Sequence, residues 1–150
     1  MRLYLMQHGK ALSKDEDPKR SLSSLGRKET EYIASFLRAR QIRVDSIWHS
    51  SKERAEETAE LIARAVGISC CEERSDLQPN DPVEAIPQEL HERGENVLIV
   101  GHLPFLQKLL SLLLIGREKH DIGGITYSGI ICLSYDETWN LEWIVTPQLI

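Results

Sequence analysis

A chain of 150 residues with a formal net charge of −5 is long enough to bury a real core. It is too acidic for a general nucleic-acid or membrane-surface binder, because those partners demand a basic footprint. Its 41% apolar and 27% charged residues are those of an ordinary globular protein, and its strongest apolar run, residues 109–115, is too short to span a bilayer.

The N-terminus lacks the pattern of a signal peptide. The cysteines, Cys70, Cys71 and Cys132, form no CxxC pair, which fits reduced thiols better than a disulfide framework or a zinc site. Reduced, partly buried thiols in a cytoplasmic protein are expected.

In chain order, Arg2–Met6 reads as a strand and Lys14–Arg20, with Pro18 among charges, as a loop. Leu25, Ile33, Phe36 and Leu37 recur at helical spacing through Ser23–Arg40, with Ser21 or Ser23 as the cap. Val44–His49 is a second strand. Ser51–Val66 is a helix with Ala55, Thr58, Ala59, Ile62 and Ala63 on one face and Gly67 as its stop. Ile68–Glu72 is predicted as a third strand and Arg74–Pro82 as a polar loop. Val83–Arg93 is predicted helical, with Pro87 delaying or kinking its first turns.

Asn96–Val100 is a continuous apolar strand, the mark of burial on both faces. Pro104–Leu114 is an apolar helix. Ile125–Ser134 and Trp139–Val145 form a hairpin across a turn containing Asp136. This alternation predicts one domain over residues 1–150. Its expected class is α/β, a three-layer α/β/α sandwich with a mostly parallel central sheet and a C-terminal hairpin.

Chemistry-bearing residues gather where strands end. His8 follows the first strand in Gln7-His8-Gly9, and His102 follows the buried strand after Gly101. Ligands of open α/β sheets sit at the carboxyl ends of strands, and glycine permits close backbone approach. Either histidine alone could simply close a strand; two in equivalent places are harder to dismiss. A third element is His49-Ser50-Ser51-Lys52-Glu53-Arg54. There a serine pair could cap a helix whose free N–H groups favour an anion, and Arg54 could grip two phosphate oxygens. Taken alone, Arg54 would be read as a surface residue paired with Glu53 or Glu57.

Together these segments resemble the histidine phosphatase superfamily, which includes the phosphoglycerate mutases. They are most similar to the short phosphohistidine phosphatases of SixA type. Leu5-Met6-Gln7-His8-Gly9-Lys10-Ala11 matches that family's first motif in all but its arginine. Arg20-Ser21-Leu22-Ser23-Ser24-Leu25-Gly26, the stretch Ser50 to Thr58, and His102-Leu103-Pro104 match further motifs in the family's order. Leu77-Gln78-Pro79 and the closing Trp143 to Pro147 also fit.

The resemblance implies His8 as nucleophile, Arg54 as a clamp on the phosphoryl oxygens, and a protonated His102 stabilising their charge. Gln7, Gly9, Arg20 and Ser50 are then expected to bind phosphate. No cofactor is implied, and no acidic cluster suits a metal. The expected activity is metal-independent removal of phosphoryl groups from histidines of signalling proteins such as phosphotransfer domains, through a phosphohistidine enzyme intermediate. The short loops between motifs leave no room for a cap over a small metabolite.

Two departures stand out. Gln7 replaces the family's arginine, losing a charge that Lys10 or Arg20 could restore. And Asp76, Asp81 and Glu84, the nearby candidates for an acid, read better as exposed loop carboxylates. A missing acid suits a phosphoramidate, since an imidazole with a pKa of about 6.5 leaves readily and an alcohol does not. A small-molecule phosphomonoesterase and a phosphohistidine-binding module without turnover are the alternatives.

Overall fold

The computed structural model describes residues 1–119 and 122–150. Its elements run β1 (Arg2–Gln7), α1 (Ser24–Ala39), β2 (Ser46–Ser50), α2 (Glu53–Val66), β3 (Glu72–Arg74), α3 (Ile86–Arg93), β4 (Val97–Gly101), α4 (Phe105–Ile115), β5 (Ile130–Tyr135) and β6 (Trp139–Val145). A short 3₁₀ turn, Pro147–Leu149, follows. The strands form one sheet in the order β3-β2-β4-β1-β5-β6. The β3·β2, β2·β4 and β4·β1 pairs are parallel, and β5 runs antiparallel to both β1 and β6. The expected mostly parallel sheet with a terminal hairpin is therefore present.

Period-two alternation builds both outer layers. Tyr4, Met6, Leu98 and Val100 face α1 and α2, packing on Ile33, Leu37, Ala59 and Ile62. Leu3, Leu5, Val97 and Ile99 face α3 and α4, packing on Leu90, Phe105, Leu106 and Leu109. β4 lies in the interior of the sheet and is buried throughout, as its unbroken apolar run predicts. Cys132 is buried, Cys71 is partly buried, and Cys70 is exposed; all three are free thiols.

The structure moves several expected boundaries. Ser23 caps α1, its Oγ accepting the Gly26 N–H at 3.0 Å. Neither member of the serine pair caps α2: Lys52 is its N-cap residue, and no side chain bonds to the free N–H groups there. The third strand shifts from residues 68–72 to Glu72–Arg74, because Ile68 N–H still bonds back to the Ala63 carbonyl beyond the Gly67 stop. The helix expected from Val83 starts later, at Ile86, with Pro87 in its first turn, where the missing N–H costs nothing. The strand expected from Ile125 begins at Ile130, since a tight turn closed by Gly129 N–H on the Thr126 carbonyl intervenes at 2.9 Å.

Candidate functional site

Parallel pairing of β1 with β4 aligns Gln7 with Gly101, so both strands end at the same level of the carboxyl edge. The ladder continues one residue further, through His8 N–H to the Gly101 carbonyl at 3.1 Å. His8 and His102 consequently face each other with ring centroids 5.0 Å apart and an interplanar angle of 60°. Both are nearly fully buried, at 6% and 2% exposure.

His8 is held in one tautomer. Its Nδ1–H donates to the Gly9 carbonyl at 2.7 Å, which leaves Nε2 with a lone pair. Arg54 Nε–H donates to that Nε2 at 3.3 Å. α2 carries Arg54, and Thr58 fixes the helix to the loop after β1. Thr58 Oγ1 donates to the Arg54 carbonyl at 2.7 Å and accepts the Gly9 N–H at 3.0 Å. Thr58 thus sets the distance between Arg54 and His8. It stood in the motif Ser50 to Thr58, but sequence reasoning gave it no role.

Arg54 is not the salt-bridged surface residue that its neighbours suggested. Glu57 is occupied by Arg27 Nη2 at 3.2 Å and by the Leu22 N–H at 2.9 Å. Arg20 stands in the same field. Its φ of +51° is a left-handed conformation rare for residues other than glycine, asparagine and aspartate. It is held there by its N–H on the Asp17 carbonyl at 2.9 Å and its Nε–H on the Leu12 carbonyl at 3.1 Å.

The electrostatics follow from burial among cations. Burial, then the charges of Arg54 and Arg20, push His8 down to about 4 against the opposing pull of its Gly9 hydrogen bond. Burial, then His8, Arg54 and Lys52, push His102 down to about 3. Burial and Arg20 lower Arg54 as well. Among the described residues, no carboxylate acts on any of the three. Fixed positive charge converging on a buried imidazole pair, with no acid among the described residues to neutralise it, is an environment suited to an anion.

The other expected site residues fall into different places. Ser50 is fully buried and its Oγ shares a hydrogen bond with His102 Nε2 at 2.8 Å, so it orients that ring. Gly9 has its N–H on Thr58 and its carbonyl on His8. A side chain there would strike Thr30 Oγ1 at 2.8 Å and the Gly26 carbonyl at 2.9 Å, so glycine serves packing against α1. Gln7 is buried at 7% exposure, and its carbonyl accepts the Ser128 N–H at 3.1 Å. Lys10 is exposed.

The carboxylates are engaged elsewhere. Arg74 grips Asp76 with Nε and Nη2 at 2.9 and 2.6 Å, which holds that carboxyl below its usual range and unsuits it as an acid. Arg74 and Arg93 also cover Trp48, 4.2 and 5.0 Å from the ring centroid. Asp81 closes a turn, its Oδ2 accepting the Gln78 N–H at 2.7 Å. Glu84 lines a groove with Pro87, His91 and Trp139, away from the histidine pair.

One neighbour escaped sequence reasoning altogether. The Tyr127 ring lies 5.7 Å from His8, and its residue pairs with Gln7 in an isolated bridge. Its only signal was an aromatic residue beside a glycine-bounded turn.

The sequence and the fold have known relatives. The model of the histidine phosphatase superfamily (branch 1) matches residues 3–79. The chain is 28% identical over 155 residues to the phosphohistidine phosphatase SixA of Escherichia coli (strain K12), covering 98% of this chain and 94% of that one. It superposes on the protein histidine phosphatase SixA complexed with tungstate at a TM-score of 0.87, with 27% identity and 99% of both chains covered. The alpha-ribazole phosphatase from Shigella flexneri shares the fold, with a TM-score of 0.81 at 16% identity over 98% of this chain and 97% of that one.

Proposed function

The chain belongs to the histidine phosphatase superfamily, branch 1, and on that premise we propose that it is a phosphohistidine phosphatase working through a phosphorylated His8. The observation that carries the reading is the His8–Arg54–His102 cluster, on which cations converge with no carboxylate among the described residues. His8 Nε2 is the attacking atom, since Nδ1 keeps its proton on Gly9. Arg54 gives up its bond to Nε2 and takes phosphoryl oxygens. His102, neutral in the structure, gains a proton once a phosphoryl dianion lies beside it and then stabilises the equatorial oxygens. Negative charge is met by Arg54, Arg20 and His102, and the chemistry runs without a metal ion.

The choice of phosphohistidine over a phosphate ester rests on the leaving group. An alkoxide needs a proton at the moment of departure, and Asp76 and Asp81 are both committed to other partners. A protonated phosphoimidazole needs no such acid. The likeness to SixA supports the same choice. A phosphorylated histidine on a signalling protein, in the cytoplasm, is the substrate expected. Release of inorganic phosphate from a phosphorylated histidine-containing phosphotransfer domain should exceed release from sugar phosphates by at least about a hundredfold in kcat/KM. Equal rates on both substrates would overturn the choice, and binding without release would mark a phosphohistidine-binding module.

That second reading is motivated by Gln7, and Arg20 bears on it. Arg20's charge acts on both His8 and Arg54. Arg20→Ala should therefore lower kcat/KM about tenfold, a change of about 1.4 kcal/mol, while Lys10→Ala changes it little. Gln7→Arg should gain less than about tenfold, because the missing cation is already supplied. A large gain in Gln7→Arg beside a silent Arg20→Ala, measured by steady-state phosphate release, would show that the pocket is short of charge.

A further inference from the structure

Tyr127 is built into this site with unusual firmness for an exposed aromatic. The residue is 46% exposed, yet its ring centroid lies 5.7 Å from that of His8 at an interplanar angle of 47°. The backbone around it is clamped. Ser128 is fully buried in a left-handed conformation at φ +59°, strain that a side-chain-bearing residue adopts only under constraint. Ser128 N–H reaches the Gln7 carbonyl at 3.1 Å and the His8 carbonyl at 3.4 Å. Its hydroxyl bonds Thr30 Oγ1 at 2.9 Å. Gly129 closes the turn onto Thr126 and has no room for a side chain, whose Cβ would meet Thr126 Oγ1 at 2.8 Å. The fold thus spends a strained turn on presenting one ring beside the candidate nucleophile. A half-exposed phenol ring contributes little to the core, so stability does not explain that arrangement.

We infer that Tyr127 is a specificity-determining residue, whose ring packs against the leaving imidazole of the substrate. The inference rests on the phosphohistidine reading above. An in-line transfer puts the leaving ring beyond phosphorus from His8, and Tyr127, part-exposed beside His8, is the aromatic group placed to flank that path. The substrate enters protonated on its distal ring nitrogen. The His8 Nε2 lone pair forms the new P–N bond, and the electrons of the old P–N bond return to the leaving nitrogen, releasing neutral imidazole. Water then attacks phosphorus, the second P–N pair returns to His8, and the proton of water goes to inorganic phosphate. Until the P–N bond breaks, the protonated substrate ring is a cation, and the negative face of a tyrosine attracts a cationic, planar partner. A sugar or alkyl leaving group offers neither the charge nor the flat face. Tyr127 would therefore act on one class of substrate and leave phosphate binding alone.

The test compares wild type, Tyr127→Ala and Tyr127→Phe on phosphoimidazole and on glycerol phosphate, whose leaving group is alkyl, with inorganic phosphate as competitive inhibitor. Tyr127→Ala should lower kcat/KM on phosphoimidazole by about five- to tenfold, chiefly through KM, and Tyr127→Phe should restore most of it. The inhibition constant of inorganic phosphate should stay within about twofold of wild type in both variants. An unchanged phosphoimidazole reaction in Tyr127→Ala, or equal losses in the phosphoimidazole reaction and in phosphate inhibition, overturns the inference while the phosphohistidine reading stands. A wild-type protein that hydrolyses glycerol phosphate but not phosphoimidazole overturns the reading and the inference together.

Discussion

His8→Ala should lose roughly a thousandfold or more of phosphohistidine turnover while still binding oxyanions. The expectation follows from the tautomer. With Nδ1–H fixed on the Gly9 carbonyl, Nε2 is the one ring atom of His8 with a lone pair to give, and Arg54 already marks the direction from which an electrophile arrives. Burial and nearby cations keep that atom unprotonated at neutral pH. Removing the ring takes away the covalent route and leaves Arg54, Arg20 and His102 to bind phosphate. In wild type, quenching during turnover should trap a phosphoryl group on His8 that survives base and is lost in acid, and peptide mass mapping should locate it. Tungstate, a tetrahedral oxyanion that SixA binds in its solved complex, should compete with substrate in both proteins. Undiminished turnover in His8→Ala, or a trapped phosphoryl group on another residue, would remove His8 from its role.

The same imidazole pair should make the fold acid-sensitive in a defined window. Unfolded histidines take up protons near pH 6.5. In the native protein His8 refuses one until about pH 4 and His102 until about pH 3. Between those values the unfolded state binds more protons, so stability rises with pH there and is lost as pH falls. Above about pH 7 neither state is protonated and the contribution is flat. For His8 alone the loss is on the order of 3 kcal/mol, a large share of a typical domain's stability. Urea unfolding at pH 7 and pH 4.5 should show a steep fall for wild type and a shallower one for a His8→Gln, His102→Gln double variant. Inorganic phosphate should lessen the fall in wild type, because a bound anion favours the charged imidazole and binds only the native state. Parallel pH dependence in the two proteins would mean that the histidine pair is not the source.

Local pattern alone carried much of the fold. Alternating and unbroken apolar runs located β1, β2, β4 and β6, and helical spacing with a glycine stop located α2 and its end at Gly67. Those signals are legible because periodicity and backbone freedom belong to neighbouring residues. The same locality placed His8 and His102 at strand ends and Arg54 in the first turn of a helix, and the order of motifs along the chain pointed to the superfamily.

What each of those side chains touches was decided by tertiary structure. That His8 and His102 meet depends on β4 lying beside β1, a strand order no local pattern encodes. Arg54 is left for an anion because Arg27, from α1, and the Leu22 N–H take Glu57 first. Asp76 is removed from the candidate acids because Arg74 reaches it with a two-pronged grip. Gly9 is required by the close passage of α1, whose Thr30 and Gly26 fill the space beside it. Tyr127 comes to His8 only because a turn after β4 and α4 is pinned to the end of β1. In each case the outcome is a competition between partners far apart in the chain. Distance after folding settles that competition, and the sequence lists the competitors without ranking them.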